Sequence, residues 1–100
     1  MTGRKLATLE GHPDRLNCWA WAPDGRILAT GGGSTDHPWP VNPAGDVRIW
    51  DPTSGHLLAR LNRHWGAVSD VRFSPDGRML ATASYDGTIM LWDLARVLGR

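Results

Sequence analysis

The segment Pro75-Asp76-Gly77-Arg78-Met79-Leu80-Ala81-Thr82 decides the fold of this chain, because it occurs twice. Residues 23–30 read Pro-Asp-Gly-Arg-Ile-Leu-Ala-Thr, so that seven of eight positions are identical at a separation of 52 residues. In each copy Pro-Asp-Gly predicts a turn, since proline fixes φ and glycine accepts positive φ. The Leu-Ala-Thr that follows each turn predicts a strand. The chain is therefore a duplicated unit of strands and turns.

The duplication extends well beyond this segment. The same separation of 52 residues relates His12 to His64 and Leu9 to Leu61. Farther along, Trp50-Asp51 matches Trp92-Asp93 at a separation of only 42 residues. Ten extra residues therefore lie between Thr30 and Trp50, and the underlying unit has about 42 residues.

Each unit is predicted to contain short strands separated by turns. Turn signals at 52–55 and 85–88 divide the apolar runs, and no segment shows a sustained helical period. The sequence therefore predicts an all-β chain. The predicted strands cover residues 17–21, 27–31, 57–61, 69–73, 79–84 and 89–93.

A unit of about 42 residues with an early His, a Pro-Asp-Gly turn and a terminal Trp-Asp resembles the WD40 repeat. That resemblance implies four-stranded blades packed around the axis of a β-propeller. It divides the chain into a first blade at 10–61, with an insertion at about 34–43 between its second and third strands, and a second blade at 62–100. Residues 1–9 match the fourth strand of a blade, with no preceding strands to join.

The second blade shows the complementary gap, because its fourth strand is absent from 62–100. Propellers need four to eight blades, so either the chain is a piece of a longer one or several copies assemble. In the second case Leu6 and Leu9 of one copy would cover Ile89 and Leu91 of the next, closing a homo-oligomeric ring head to tail. Three copies give six blades and four give eight; we expect four, because opening a ring strains its inner strands less than closing it. The duplication is compatible with a natural, an excised or a designed two-blade unit.

The resemblance also implies a structural hydrogen-bonded tetrad in each blade. In the second blade this tetrad is His64, Thr82, Asp86 and Trp92, with Ser84 as the alternative hydroxyl. In the first blade His12, Thr30 and Trp50 are in place, but Ala44 stands where an Asp is expected. Asp36 or Asp46 could replace that carboxylate. Since the spacing follows the structural tetrad, we do not expect catalysis from these groups.

The resemblance further implies that one end of the propeller is a binding face for a peptide or protein. The residues expected at this end are His37 and Trp39 in the insertion, with Asp14, Trp65 and Tyr85. Trp39 lies between two prolines and would anchor a partner as a rigid aromatic. The alternative is that Trp39 folds back on its own blade and fills the space left by Ala44.

Two further features concern the core. Trp19 and Trp21 alternate on a strand where the second unit has Val71 and Phe73. Period-two placement of large apolar residues predicts that both indoles are buried. Cys18 is the single cysteine, so no intramolecular disulfide forms, and its expected role is that of a small apolar side chain.

Composition excludes several classes of function. Eleven basic and ten acidic residues are scattered along the chain, which gives no electrostatic basis for binding nucleic acid or an anionic membrane. His37 has no neighbouring ligand at metal-site spacing, so we expect no metal and no cofactor. With no apolar leader segment, a cytoplasmic location is expected. We expect a non-catalytic scaffold; the alternative, an enzyme with its active site at the propeller funnel, lacks a nucleophile–base pair outside the tetrads.

Overall fold

The computed structural model describes residues 8–9, 15–33, 45–61 and 63–99. Their strands form two antiparallel sheets, one with the order β1-β2-β3-β4 and the other with the order β5-β6-β7. The all-β prediction is thus confirmed, and the strands fall into two sheets of four and three strands. In chain order the elements are β1 (Leu16–Trp21), β2 (Leu28–Gly32), β3 (Asp46–Trp50), β4 (Leu57–Arg60), β5 (Val68–Phe73), β6 (Met79–Ser84), β7 (Ile89–Asp93) and the helix α1 (Leu94–Val97).

The two Pro-Asp-Gly turns adopt the same structure. Gly25 and Gly77 both have φ of +74°, the left-handed region that favours glycine. The N–H of each glycine donates to the carbonyl three residues earlier, at 2.9 Å in both turns. The aspartate at the centre of each turn accepts from the N–H of the following arginine, at 2.9 Å for Asp24 and 3.0 Å for Asp76. The same glycine and aspartate hydrogen bonds therefore set the β1–β2 and β5–β6 hairpins.

The hydrophobic core lies between the two sheets. Strand register assigns the contacting faces, because directly paired residues point to the same side. Cys18, Gly31 and Val47 share the inner face of the first sheet, and Val71, Thr82 and Met90 share the inner face of the second. The buried apolar side chains from both sheets form one cluster: Ala22, Ile27, Ala29, Val47, Ile49, Leu61, Val68, Val71, Leu80 and Leu94.

Gly31 allows the two sheets to approach closely. A Cβ atom at this position would lie 2.6 Å from Val68 Cγ1 and 2.7 Å from Cys18 Sγ, closer than side chains tolerate. Asn17 Nδ2 also bridges the sheets, donating to the carbonyls of Gly33 and Val68 at 3.1 Å each. The internal interface is therefore close-packed at β1, β2 and β5.

The chain takes different paths after its two Trp-Asp pairs. Asp51 accepts from Thr53, and Gly55 has φ of +78°, so that residues 52–55 turn the chain back into β4. Asp93 instead accepts from the N–H groups of Ala95 and Arg96 and caps α1. Sequence periodicity did not predict α1, because four residues are too few to show a helical period. The buried side chain of Leu94 anchors α1 to the core between the sheets.

Candidate interaction surfaces

The side chain of His64 links three parts of the second sheet. Its Nε2 lies 2.7 Å from Thr82 Oγ1 on β6, and its Nδ1 lies 3.3 Å from Asp86 Oδ2 in the β6–β7 turn. Trp92 Nε1 on β7 donates to the same Thr82 hydroxyl at 3.0 Å. The structure therefore brings the four residues expected for the second tetrad into one hydrogen-bonded array.

One direction of proton donation satisfies every group in this array. Since Thr82 Oγ1 accepts from the Trp92 indole, its own hydrogen is available to His64 Nε2. That leaves Nδ1 as the protonated nitrogen, which donates toward Asp86 and toward Thr88 Oγ1 at 3.1 Å. The network thus fixes one tautomer of the His64 ring.

Asp86 is held as a carboxylate by the donors around it. Partial burial alone raises the pKa of Asp86, but hydrogen bonds outweigh it and hold the pKa far below the usual carboxyl range. These bonds come from the Thr88 side chain, from the N–H groups of Thr88 at 2.8 Å and Trp65 at 2.9 Å, and from His64. Asp86 therefore joins the segment before β5 to the β6–β7 turn.

The array is closed to a substrate. His64 and Thr82 are both fully buried, and the Thr82 hydroxyl already bonds to two partners. Ser84, the alternative hydroxyl, is used elsewhere: its Oγ donates to the Gly66 carbonyl at 2.9 Å. Chemically, this arrangement can hold loops in place, but it offers no accessible nucleophile.

The first sheet contains part of an equivalent hydrogen-bonded array. Trp50 Nε1 donates to Thr30 Oγ1 at 2.8 Å, and both side chains are buried. The carboxylate of Asp46 lies 2.8 Å from Arg48 Nε and 3.7 Å from Arg60, a buried ion pair that the sequence did not reveal. The other residues considered for this tetrad, His12, Asp36 and Ala44, lie outside the described residues.

Two of the five residues expected on the binding face lie at one end of the second sheet. Trp65 is 45% exposed and Tyr85 is 69% exposed. Their loops are joined by the Tyr85 N–H, which donates to the Ala67 carbonyl at 3.0 Å, and by the bond from Trp65 to Asp86. The remaining three, Asp14, His37 and Trp39, fall outside the part of the chain that the structure describes.

The outer face of β1 is apolar and exposed. Register places Leu16, Trp19 and Trp21 on one side of the first sheet, opposite the core. Trp19 is 63% exposed and Trp21 is 51% exposed, so the prediction that both indoles are buried is wrong for this chain. Periodicity correctly grouped the two residues, but it cannot tell which of two sheet faces has a neighbour. We call Leu16, Trp19 and Trp21 the tryptophan face.

The outer face of the second sheet is a second apolar surface. Ala81 pairs with Leu91 and Ala83 pairs with Ile89, so all four point away from the core. Ile89 is 71% exposed and Leu91 is 66% exposed. A depression of about 130 Å³ lies among Ala81, Ala83, Ile89 and the Asp70–Arg72 ion pair. We call Ala81, Ala83, Ile89 and Leu91 the aliphatic face.

In the part of the chain that the structure describes, the strand β7 has a free edge. Within the described residues β4 pairs with β3 in the first sheet, whereas no strand pairs with the corresponding edge of β7. Met90 of β7 also lines an open cavity of about 450 Å³, together with Arg63, Trp65, Asp86 and Thr88. Of the two residues expected to cover the edge, Leu6 lies outside the described residues, and Leu9 is partly buried and not part of a strand.

Cys18 faces the internal interface and is partly buried against the core. Burial, reinforced by the Asp70 carboxylate, raises the pKa of the Cys18 thiol to about 11. Within the described ranges no group of three or more His, Cys, Asp or Glu side chains is placed to bind a metal ion. No helix in the same ranges is long and apolar enough to span a membrane.

A family model described as "WD domain, G-beta repeat" matches residues 3–37 and 55–93. The periodic tryptophan protein 2 homolog of Dictyostelium discoideum is 36% identical over 89 residues, which cover 87% of this chain and 9% of that protein. The small ribosomal subunit protein RACK1y of Oryza sativa is 34% identical over 85 residues, covering 85% of this chain and 23% of that protein. The chain thus spans less than a quarter of the length of either relative.

The fold also resembles a solved structure. The crystal structure of the computationally designed Ika4 protein matches with a TM-score of 0.69 and 24% sequence identity. The matched region covers 92% of this chain and 49% of that chain. At this identity the likeness describes the arrangement of the strands.

Proposed function

The chain belongs to the WD40 repeat family, and from that premise we propose that it is a non-catalytic β-propeller scaffold that self-assembles head to tail. The observation that carries this proposal is the pair of apolar faces on opposite sides of the two-blade unit. Each face exposes two or more large side chains, and the corresponding positions of the other repeat are buried or partly buried. Such surfaces on a small domain are typical of interaction sites.

The two faces differ from each other, which favours a head-to-tail contact. A two-fold interface would pair a face with itself, whereas a contact between unlike faces repeats from copy to copy. Each copy added head to tail leaves one open face uncovered at the end of the assembly. All of the faces are covered only when the copies close into a ring. Four copies would give eight blades and three would give six, and we propose four.

The free edge of β7 supports the same direction of assembly. In the first sheet Arg48 pairs with Arg60 of β4, and the Leu61 N–H donates to the Val47 carbonyl at 2.8 Å. The corresponding groups on β7 belong to Met90 and Ile89, and Met90 also borders the cavity of about 450 Å³. We assign the edge of β7 to the segment containing Leu6 and Leu9 of a second copy, which would complete the blade as a fourth strand.

Native mass spectrometry of the 100-residue chain tests the assembly. The expected result is one closed species of four copies, with little monomer. Deleting residues 1–9 should abolish that species, whereas deleting residues 1–3, which keeps Leu6 and Leu9, should preserve it. A folded monomer for the intact chain would overturn the proposal, and an unchanged oligomer after deletion of 1–9 would overturn the role of the N-terminal segment.

A peptide or protein is the proposed ligand of the scaffold, bound at the end that carries Trp65 and Tyr85. Two exposed aromatic side chains on loops held by a buried hydrogen-bonded array form a rigid contact surface. Peptides selected from a displayed random library against the intact chain provide the probe. Tyr85→Ala and Trp65→Ala should each weaken the selected peptide at least tenfold, while Arg26→Ala, at the opposite end, should leave binding unchanged. Equal binding by all three variants would place the site elsewhere.

A further inference from the structure

We infer that the tryptophan face of one copy packs on the aliphatic face of a second copy in the register of the internal interface, with Leu16 against Ala83. This inference rests on the proposed self-assembly and specifies its surfaces. The occupant of each face is therefore the opposite face of another copy of this chain.

The internal interface is the template, because it joins the same two kinds of sheet face. Its two sides are the inner face of the first sheet and the inner face of the second. The separations of 52 and 42 residues relate the aliphatic face to the first of these: Ala83 corresponds to Gly31, Ile89 to Val47 and Leu91 to Ile49.

The tryptophan face corresponds in the same way to the inner face of the second sheet. Leu16 corresponds to Val68, Trp19 to Val71 and Trp21 to Phe73. The strand pairings agree residue by residue: Trp19 is paired with Thr30 as Val71 is paired with Thr82. Each open face therefore carries the strand geometry of one side of a contact that the molecule already makes once.

A close approach of the two sheets in the template identifies the contact between copies. A Cβ atom on Gly31 would lie 3.2 Å from Val68 Cβ, so these two positions face each other directly. Their counterparts are Ala83 on one copy and Leu16 on the next. Because Ala83 carries the Cβ atom that Gly31 lacks, the two sheets of this contact keep the register of the internal interface but stand farther apart. The depression of about 130 Å³ lies at Ala83, where the template places the incoming side chain of Leu16.

The internal interface and the proposed contact between copies differ in the size of their side chains. Trp19 and Trp21 are larger than the Val71 and Phe73 that they match, so the contact between copies has a larger aromatic component. Arg72 stands where the internal interface has Ala20, and its guanidinium is paired with Asp70 at 2.9 Å. An indole from the second copy can stack on that planar group. Because of these differences, each open face is expected to pack on the open face of another copy and not to replace a sheet in the internal interface.

Cysteine cross-linking tests the register. In a Cys18→Ala background, Leu16→Cys and Ala83→Cys are prepared as separate single variants, both at positions where the side chain lies outside the internal core. The expected Cβ–Cβ separation is close to the range of about 3.5–4.5 Å that disulfides require. Under mild oxidation a covalent dimer should form when the two variants are mixed, and neither variant alone should form one. Leu16→Cys mixed with Met79→Cys is the control pair, because Met79 lies at the other end of β6.

The double variant carrying both cysteines gives a second measurement. On a denaturing gel without reductant it should show a ladder that ends at the number of copies found by native mass spectrometry. If the chain is oligomeric but the mixed variants do not cross-link, the register is wrong while self-assembly stands. If Leu16→Cys alone forms dimers, the contact is two-fold and the head-to-tail arrangement falls. A chain that is monomeric by mass spectrometry and uncross-linked overturns both proposals.

Discussion

The internal interface and the two open faces use equivalent positions of the repeat, yet they have opposite environments. Val47 and Ile49 are fully buried, whereas Ile89 and Leu91, at the same positions in the second unit, are more than 60% exposed. On the opposite side Val71 is buried and its counterpart Trp19 is exposed. Burial in a repeat protein is therefore decided by which neighbour is present and not by the repeat position alone. The exposed positions have nevertheless kept large apolar side chains.

The strongest test of this comparison is to place a charged residue in the internal interface and, in a separate variant, on an open face. Ile49→Asp would bury a carboxylate in the internal interface without a partner, at a cost of several kcal/mol. That cost is comparable with the whole stability of about 5–15 kcal/mol that a small domain has. We therefore expect the variant to be unfolded by circular dichroism.

Leu91→Asp is the matched substitution on the aliphatic face. Since Leu91 is exposed, the single folded chain should lose no more than about 0.5 kcal/mol of its own stability, apart from the stabilisation that association supplies. The variant should stay folded but become monomeric in light scattering. If Leu91→Asp unfolds the chain as Ile49→Asp does, the aliphatic face is not a separate surface and the contrast between the two regions fails.

Removing the hydroxyl at the centre of the buried array should have the next largest effect. Thr82→Val keeps the shape of the side chain but leaves His64 Nε2 and the Trp92 indole N–H without their partner. We expect a loss of about 1–3 kcal/mol in the free energy of unfolding, measured with urea. Ser69→Ala, on the exposed side of β5, is the control and should change stability by about 0.5 kcal/mol or less. Equal losses for the two variants would mean that the array contributes nothing beyond an exposed bond.

The state of Asp86 predicts how stability depends on pH. Its pKa is lower in the folded chain than in the unfolded chain, where a value of about 4 applies. Its contribution is therefore complete above pH of about 4 and is lost as the pH falls below that value. Urea unfolding of the chain and of Asp86→Asn between pH 2 and 7 should give curves that converge on acidification. Parallel curves would contradict the assignment.

The last test concerns the reactivity of Cys18 at the internal interface and not the stability of the fold. With a pKa of about 11, the thiol is almost fully protonated at pH 8. Its reaction with an aromatic disulfide reagent should be roughly a hundredfold slower in the folded chain than in guanidinium, since the thiolate is the reactive form. Similar rates in both conditions would show that this part of the interface opens readily.

Local chemistry explains which parts of the fold could be predicted. The strands at 79–84 and 89–93 were predicted with their observed bounds, and the Pro-Asp-Gly turns with positive φ at glycine, because both depend on residues close in sequence. The strands at 17–21, 27–31, 57–61 and 69–73 were placed within one residue at each end, whereas no bounds were predicted for β3. Residues 94–97 were not predicted as a helix, because an aspartate cap and four helix-compatible residues leave no periodic signal.

The site was less predictable, because it depends on contacts between distant residues. The repeat spacing led to His64, Thr82, Asp86 and Trp92, and the structure brings them together, but only the hydrogen bonds of the folded chain distinguish Thr82 from Ser84. The Asp46–Arg48 pair escaped prediction, since a buried ion pair resembles two exposed charges in sequence. The burial of Trp19 and Trp21 was predicted wrongly, because alternation reports a sheet face and not what covers it.

The two open faces also have a thermodynamic consequence. A contact that covers them in the folded state, and has no counterpart in the unfolded chain, stabilises folding by mass action. The apparent stability of such a chain rises with its own concentration, by up to about 1.4 kcal/mol for each tenfold increase in free partner above the dissociation constant. The melting temperature of a two-blade unit with exposed faces therefore depends on the concentration of the chain as well as on its sequence.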